Sequence, residues 1–186
     1  MKFLNFLLII FITLSSPIKA DSKKNLINKL KEGNKLIFIR HAYAPGGGDP
    51  DNFDILNCES QRNLNKEGIE QAKRIGKFFS KKNLKIEKVL SSEWCRCKDT
   101  AMYAFERYST KFFLNSFYDE KYKSNKKQQL EDLYKFIKNW NGKNNLIFVT
   151  HYVVIQEVFD VALSSGEMIV SDKKFNIVGR LKFSQN

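Results

Sequence analysis

The chain has 186 residues, of which 42% are hydrophobic and 13% are aromatic, and this composition excludes a collagen-like protein, a low-complexity tail and an ordinary disordered segment. The 32 Lys and Arg residues outnumber the 20 Asp and Glu residues, so the formal net charge is +12. This charge favours an anionic partner, but it specifies neither the fold nor the chemistry.

The first 20 residues have the order of a secretory signal peptide. Lys2 is followed by a nearly unbroken apolar run over residues 3–14, and then by a short stretch of small and helix-breaking residues that ends at Ala20. As a helix, the apolar run would rise only about 18 Å, which is too short for a hydrocarbon core of about 30 Å. We therefore predict cleavage after Ala20, export to the periplasm or the medium, no stable membrane insertion after cleavage, and a single domain over residues 21–186.

Short apolar runs alternate with longer helical patterns in that domain. The runs that predict strands are residues 35–39, 86–90, 111–114 and 145–149, two of them apolar on both faces, as in a sheet covered from both sides. The segments that predict helices are residues 66–80 after the N-cap Asn65, residues 96 to about 108, residues 127–140 and residues 153–163. Residues 168–170 and 178–183 flank a polar turn and predict an antiparallel edge hairpin. This order predicts a three-layer α/β/α sandwich with a mostly parallel central sheet.

Three cysteines, Cys58, Cys95 and Cys97, are too few for a disulfide scaffold. Cys95 and Cys97 are separated by one residue, not by the two of a redox or zinc pair, and the chain has two His residues in all, so no metal site is expected. The cysteines are then either small buried residues or include one disulfide, of Cys58 with Cys95 or with Cys97.

The two histidines follow two of the predicted strands directly. His41 comes after the first strand and His151 after the fourth. Ligands of open α/β sheets bind beyond the carboxyl ends of the strands, so both imidazoles are expected at one edge. The strand at residues 86–90 leads into a helix whose first turn carries Arg96, where the guanidinium and the helix N-terminus both favour an anion. With Arg40, these side chains fit a phosphoryl group.

Four segments occur in one order along the chain: Arg40-His41-Ala42 after a strand, residues 64–72, residues 91–101, and a late strand that ends at His151. In combination they resemble the histidine phosphatase superfamily, the phosphoglycerate mutase-like and acid phosphatase-like proteins whose signature is Arg-His-Gly. The resemblance covers most of residues 35–165. It implies a phosphoglycerate mutase-like fold.

The resemblance also implies roles for individual residues. His41 would be the nucleophile that becomes a phosphohistidine, which water then hydrolyses. Arg40, Arg96 and His151 would hold the phosphoryl oxygens, and neither a metal nor a cofactor would be required. Ala42 stands where the signature has Gly, and it is expected to be tolerated because Ala is the smallest replacement.

The general acid is left open among three carboxyl groups. Protonation of the leaving oxygen requires a carboxyl group within hydrogen-bond reach. Glu93 is favoured narrowly, since it precedes Arg96 by three residues at a strand-to-helix turn, although an acid at a helix N-terminus also has a purely structural explanation. Asp119 and Glu120 are the alternatives, because many members of the superfamily take the acid from a later segment.

Two further segments are interpreted as surface features. The three glycines of residues 43–51 could expose backbone N–H groups to a phosphate, but the segment is predicted to be a flexible surface loop. Arg62 could reach a substrate phosphate, but it precedes a helix cap and is expected to stay solvated.

The leading hypothesis is an exported, metal-independent phosphomonoesterase that acts through phospho-His41. Its partner would be a phosphorylated small molecule or glycolipid, and the sequence does not choose among a phosphosugar, an envelope glycolipid, a nucleotide and a phosphopeptide. The alternatives are a non-catalytic phosphate-ligand binding module of the same fold and, less favoured, a phosphomutase. No nucleic-acid partner is expected, since no motif for one is found. The oligomeric state is left open.

Overall fold

The computed structural model describes residues 18–183, with side chains from residue 22 onward. The predicted signal peptide lies outside the described residues except for its last three positions, which begin helix α1 (Ile18–Glu32). Cleavage after Ala20 therefore stays a prediction. No apolar period predicts α1, because the helix is mostly polar; over residues 22–32 it buries Leu26 and Leu30.

The other elements alternate between strands and helices. The strands are β1 (Leu36–Arg40), β2 (Ile86–Ser91), β3 (Ser109–Thr110), β4 (Asn145–Thr150), β5 (Met168–Ser171) and β6 (Ile177–Leu181). The remaining helices are α2 (Lys66–Lys81), α3 (Cys95–Phe105), α4 (Lys126–Asn139) and α5 (Tyr152–Phe159). Short 3₁₀ helices lie at Cys58–Ser60, Phe112–Leu114 and Glu120–Asn125.

The described strands form one sheet in the order β3-β2-β4-β1-β5-β6. The β3–β2, β2–β4 and β4–β1 pairs are parallel, whereas β5 pairs antiparallel with β1 and with β6. The predicted edge hairpin is thus confirmed as β5 and β6, and the sheet is mostly parallel as expected.

Helices cover both faces of this sheet. On one face, Ile37 and Ile39 pack with buried residues of α1, α2 and α3. On the other face, Leu36 and Phe38 pack with buried residues of α4 and α5. The alternation along β1 explains its continuous apolar run, because a central strand contributes side chains to both cores. The predicted three-layer sandwich is confirmed. Within the described residues, no helix has both the length and the apolar character required to cross a membrane.

Two predicted elements are wrong in detail. Residues 111–114 do not form a strand: β3 is the dipeptide before them, and Phe112–Leu114 is a 3₁₀ turn that buries Phe113 and Leu114. A short apolar run does not distinguish these cases, because burial selects apolar residues in either conformation. Helix α5 ends at Phe159 instead of residue 163, since Asp160 adopts the left-handed conformation, with φ of 53°.

Hydrogen bonds continue beyond the carboxyl ends of the three central parallel strands. The N–H of His41 donates to the carbonyl of Thr150 over 2.9 Å, and the N–H of Ser92 donates to the carbonyl of Val149 over 2.9 Å. These bonds extend the sheet by one residue past β1 and β2. His41, Ser92 and His151 are therefore held at the same edge of the sheet.

The start of α2 packs tightly against the chain that leaves β1. A Cβ atom on Gly68 would lie 1.9 Å from the carbonyl oxygen of Tyr43, so only glycine permits this approach. Gln71, one turn later, is buried and accepts a hydrogen bond from the N–H of Tyr43. Its amide also donates to the carbonyls of Ser165 and Phe183. Helix α2 thus secures the segment that follows His41.

Candidate active site

A cavity of about 360 Å³ opens at the carboxyl edge of the sheet. The charged and titratable side chains that line it include those of His41, His151, Arg40, Arg62, Arg96, Asp49, Asp119 and Lys121. The structure therefore brings together the two histidines and the two arginines expected from the sequence, and it adds a third arginine.

His41 is buried and is held in one tautomer. Its Nδ1 lies 2.8 Å from the carbonyl oxygen of Ala42. Since a carbonyl can only accept, Nδ1 carries the proton and Nε2 carries the lone pair. Burial lowers the pKa of His41 well below its usual value, and the nearby charge of Arg96 lowers it further. The imidazole is therefore neutral, as a nucleophile must be.

His151 lies next to His41, with 5.6 Å between the ring centroids. Its Nε2 is 2.9 Å from the hydroxyl of Ser92, which is 3.0 Å from the amide oxygen of Asn115. The amide oxygen only accepts, so Ser92 donates to Asn115 and receives the Nε2–H of His151. The other nitrogen, Nδ1, is 3.5 Å from a terminal nitrogen of Arg96. Burial, followed by the charge of Arg96, lowers the pKa of His151 well below its usual value.

Arg96 is buried and paired with the carboxylate of Asp49, which no sequence pattern assigned to the site. Its Nη1 and Nη2 donate to the two oxygens of Asp49 over 2.7 and 3.2 Å. The indole of Trp94 and the N–H of Arg62 also donate to this carboxylate, over 3.0 and 3.1 Å. Burial alone would raise the pKa of Asp49, but the hydrogen bonds and charge of Arg96 outweigh it and lower the pKa. Asp49 is therefore ionised beside the histidines.

Arg40 keeps part of its hydrogen-bonding capacity unused. Its Nη1 donates to the carbonyl of Leu163 over 2.7 Å, and the guanidinium carbon lies 5.3 Å from the ring centroid of Tyr152. The Nε atoms of Arg40 and Arg96 are buried and have no partner among the described residues. Three guanidinium groups line one cavity, those of Arg40, Arg62 and Arg96, and such a set favours an anionic ligand with several oxygens.

The expectation that Arg62 stays solvated is wrong. Its side chain lines the cavity and donates to the carbonyls of Gly48 and Ala44 over 2.9 and 2.5 Å. Burial and the charge of Arg96 lower its pKa. Arg62 therefore holds both ends of the glycine-rich loop, which is not simply a free surface segment.

The three candidate acids lie in different surroundings. Asp119 lines the cavity of the histidines. Glu93 lines an adjoining cavity instead, where Oε2 accepts a 2.5 Å hydrogen bond from the amide of Asn115. Glu120 is exposed and pairs with Lys123. The structure thus brings Asp119, rather than the favoured Glu93 or Glu120, into the cavity of His41.

The cysteines take one of the alternatives left open. Cys58 and Cys95 form a disulfide with a Cα–Cα distance of 5.7 Å, and Cys97 is free and buried. The disulfide ties the turn at Cys58–Ser60 to the first residue of α3, next to Arg96. The Cys97 thiol lies 3.5 Å from Nε2 of His151, and burial raises its pKa to about 12. Cys97 therefore remains protonated. Within residues 18–183, no group of three His, Cys, Asp or Glu side chains could hold a metal ion.

Ala42 fits the position that the signature gives to glycine. Its side chain is fully buried, and its φ is not positive. Its N–H donates to the hydroxyl of Thr100 over 2.9 Å, and that hydroxyl donates to the carbonyl of Arg96 over 2.7 Å. The Cβ is therefore accommodated without left-handed strain, in a backbone that also joins His41 to α3.

Comparisons with known proteins support the resemblance. The model of the histidine phosphatase superfamily (branch 1) matches residues 36–120. A comparison with curated protein sequences found no match. Among solved structures, the protein histidine phosphatase SixA complexed with tungstate is 14% identical, with a TM-score of 0.56 over 79% of this chain and 96% of that chain.

Two structures from Thermus thermophilus are also similar. TTHB049 is 17% identical, with a TM-score of 0.55 over 79% of this chain and 98% of that chain. A phosphoglycerate mutase is 16% identical, with a TM-score of 0.57 over 81% of this chain and 99% of that chain. At identities this low, the structural similarity establishes a shared fold and nothing more. The phosphoglycerate mutase-like architecture is thereby confirmed. The matched family model, over residues 36–120, supports the resemblance to the histidine phosphatase superfamily.

Proposed function

We propose that this chain, whose residues 36–120 match the histidine phosphatase superfamily, is an exported and metal-independent phosphomonoesterase that acts through a phosphohistidine on His41. One observation carries the proposal: the imidazole of His41, neutral and with its lone pair on Nε2, lines a cavity together with the guanidinium groups of Arg40, Arg62 and Arg96. The similarity in fold to a SixA that holds tungstate supports it, because tungstate is an oxyanion, as phosphate is.

The chemistry follows from the positions of these groups. A phosphate ester dianion binds among Arg40, Arg96 and His151, where the guanidinium donors hold its oxygens. The Nε2 of His41 attacks phosphorus, and the N–P bond forms as the P–O bond to the leaving group breaks. Asp119, which lines the cavity, gives the leaving oxygen its proton.

Hydrolysis of the phosphohistidine completes the cycle. A water molecule attacks phosphorus, the P–N bond breaks, and the carboxylate of Asp119 takes the proton that water loses. Inorganic phosphate leaves, and Nε2 recovers its lone pair. The free imidazole of His41 stays neutral between turnovers because burial and the surrounding arginines disfavour the imidazolium.

The test is phosphate release from a panel of phosphomonoesters by the purified protein with a chelator present. We expect release by the wild type, loss of release in His41→Ala, and a phosphohistidine bonded through Nε2 in the wild type after rapid acid-free quenching, seen by ³¹P NMR. A folded wild type that binds phosphate but releases none would indicate a binding module. Transfer of phosphate to a second position of the substrate would indicate a mutase.

Export is the second part of the proposal. It is supported by the order of charges and apolar residues in residues 1–20 and by the Cys58–Cys95 disulfide, since disulfides persist in oxidising compartments. Intact-mass measurement of protein recovered from the periplasm or the medium should show loss of residues 1–20. Full-length protein found only in the cytoplasm would contradict export without affecting the chemistry.

A further inference from the structure

The carboxylate of Glu93 lines the adjoining cavity, but hydrogen bonds connect it to the second histidine of the site. Its Oε2 accepts a 2.5 Å hydrogen bond from Nδ2 of Asn115. The oxygen of the same amide, Oδ1, accepts from the hydroxyl of Ser92 over 3.0 Å, and this hydroxyl lies 2.9 Å from Nε2 of His151. Three consecutive hydrogen bonds thus join a partly exposed carboxylate to a buried imidazole.

The main chain holds Asn115 firmly in place. Asn115 is buried, its N–H donates to the carbonyl of Phe112 over 2.9 Å, and its carbonyl accepts from the amide of Gln129 over 3.1 Å. With the backbone fixed in this way, the freedom left to the side-chain amide is a half-turn that exchanges its oxygen and its nitrogen.

The partners of the Asn115 amide decide between these two orientations. On one side lie two donors, the N–H of Glu93 at 2.8 Å and the hydroxyl of Ser92. On the other side lies the carboxylate of Glu93, which only accepts. After a half-turn, the amide nitrogen would face the N–H of Glu93 and the amide oxygen would face the carboxylate. The observed orientation is therefore the one that pairs each donor with an acceptor.

The orientation of Asn115 determines where His151 carries its proton. Because Oδ1 takes the single hydroxyl hydrogen of Ser92, that hydroxyl accepts the Nε2–H of His151, and the lone pair of the ring is on Nδ1. Nδ1 lies 3.5 Å from Nη2 of Arg96. In the other tautomer an N–H would point at the N–H groups of the guanidinium and displace Arg96. The Cys97 thiol, 3.5 Å from Nε2, is too weak a hydrogen-bonding group to decide the tautomer.

We propose that Glu93 and Asn115 are a positioning pair, which acts through Ser92 to hold the proton of His151 on Nε2 and thereby keeps Arg96 in place for a phosphoryl group. Both residues of the pair line the adjoining cavity instead of the cavity of the histidines, so they act without touching the substrate. The pair explains a carboxylate at position 93 that is not the general acid. Its effect on turnover rests on the proposed function, whereas its effect on the histidine does not.

Long-range ¹H–¹⁵N correlation NMR reads the tautomers and requires no activity. The chain has two histidines, and we expect opposite tautomers, with the proton on Nδ1 of His41 and on Nε2 of His151. His41→Gln assigns the signals. Asn115→Leu removes the acceptor of the Ser92 hydrogen, so His151 should lose its single Nε2–H tautomer. Glu93→Ala changes a partly exposed side chain and should give the same result in part, which keeps the test valid if Asn115→Leu does not fold.

Two substrates separate positioning from acid catalysis. Glu93→Ala should lower kcat/KM about 10-fold for an alkyl phosphate and for p-nitrophenyl phosphate alike, as for loss of one hydrogen bond to a charged group. The loss is equal because Arg96 and His151 face the phosphoryl group of either substrate. Glu93→Gln should stay within about 2-fold of the wild type, since its amide oxygen still accepts from Asn115. A loss confined to the alkyl phosphate would make Glu93 the general acid and overturn the positioning role.

A double variant tests the pair itself. Asn115→Asp alone sets two carboxylates against each other and should lower kcat/KM at least about 10-fold. Combined with Glu93→Gln, it keeps the oxygen that faces Ser92 and reverses the direction of the second hydrogen bond, so kcat/KM should recover to within about 3-fold of the wild type. Asn125→Asp is the matched control, because Asn125 lines the same adjoining cavity outside this chain of hydrogen bonds, and it should keep the wild-type rate. Failure of the double variant to recover would contradict the pairing.

The outcomes distinguish this inference from the proposed function. Opposite tautomers in the wild type that change at His151 in Asn115→Leu, with no phosphate release from any substrate, would overturn the phosphatase and leave the pair standing. Phosphate release by the wild type, with tautomers and kcat/KM unchanged in Asn115→Leu and Glu93→Ala, would overturn the pair and leave the phosphatase standing. A wild-type His151 with its proton on Nδ1 would also overturn the pair.

Discussion

The Asp49 carboxylate binds the Arg96 guanidinium through two hydrogen bonds, of 2.7 and 3.2 Å, inside the cavity that holds both histidines. The pair orients Arg96, but it also places a negative charge where a phosphate dianion would bind. Positive φ values at Gly46 and Gly48 allow the loop to return Asp49 to this position. Asp49 therefore sets how much of the charge of Arg96 is available to a ligand.

Replacing Arg96 and replacing Asp49 should change the affinity for phosphate in opposite directions. Arg96→Ala is expected to lower kcat/KM about 100-fold, as for loss of one oxyanion donor, and to weaken phosphate binding. Asp49→Asn is expected to strengthen binding of inorganic phosphate about 5-fold, because a nearby carboxylate disfavours a second anion. Isothermal titration calorimetry of both variants checks this. Weaker phosphate binding by Asp49→Asn would mean that the carboxylate acts mainly by orienting Arg96.

Asp119 is expected to be the general acid, because it is the candidate carboxyl group that lines the cavity of His41. Asp119→Asn should lower the hydrolysis of an alkyl phosphate about 100-fold while affecting p-nitrophenyl phosphate much less, since a good leaving group needs no proton. Steady-state rates on both substrates give the ratio. Glu120→Gln is the neighbouring control. A ratio unchanged in Asp119→Asn would remove Asp119 from this role.

Gly68→Ala should disturb the contact between α2 and the segment after His41. The added Cβ would meet the carbonyl oxygen of Tyr43 at 1.9 Å, so helix or segment must move, at a cost of about 1–3 kcal/mol in the free energy of unfolding. Urea denaturation measures the loss. Gly47→Ala is the matched control, since a Cβ there meets no atom within 4 Å. Equal stability of the two variants would refute this account of Gly68.

The two buried histidines predict a loss of stability in mild acid. Both have pKa values well below the usual value, so the unfolded chain binds protons near pH 6.5 that the folded chain does not. Stability is complete above about pH 6.5 and falls as the pH decreases toward the lowered pKa values, by up to about 1.4 kcal/mol per pH unit for each histidine.

Urea denaturation at about pH 7 and about pH 5.5 checks this slope, in a range above the ordinary titration of carboxylates. A His151→Gln variant should lose about half of the slope, and a variant with both histidines replaced by Gln should lose nearly all of it. A wild type with the same free energy of unfolding at both values would show that the folded state takes up these protons.

The Cys58–Cys95 disulfide is expected to contribute about 3–4 kcal/mol to stability, since it closes a loop with a sequence separation of 37. Cys58→Ser should therefore unfold at lower urea concentration, and it should raise KM because the disulfide anchors the turn beside Arg96. A reductant should reproduce both effects in the wild type and change nothing further in Cys58→Ser. An unchanged midpoint of urea unfolding in Cys58→Ser would contradict the stabilising role of the disulfide.

Because burial holds the Cys97 thiol protonated, with a pKa of about 12, a thiol reagent should label it only after unfolding.

Most elements of the fold could be predicted from local patterns of apolar residues. Buried side chains repeat along each strand or helix, and this repeat can be recognised within the segment alone. It predicted the strands β1, β2 and β4 and the helices α2, α3 and α4. Helix α1 and the dipeptide β3 were not predicted. Helix α1 is mostly polar, and β3 is too short to show a period.

Much of the candidate site could also be predicted. The positions of His41 and His151 follow from a general rule for parallel sheets, and Arg96 follows from the helix after β2. Asp49 and Arg62 could not be assigned in this way. Their functional contacts, with Arg96 and with the carbonyls of Gly48 and Ala44, depend on how a loop returns to the sheet, and no local pattern encodes that path.

The sequence by itself determined which residues end the parallel strands, because the apolar run of a strand and the residue that follows it are local features of the chain. This was sufficient to indicate a phosphate site. Only the tertiary structure decided that Nε2 of His41 holds the lone pair, that Asp119 and not Glu93 lines its cavity, and that Cys58 pairs with Cys95. Each of these depends on the direction of a side chain relative to a partner distant in sequence or on one hydrogen bond. Such directions are set by the packing of the whole domain.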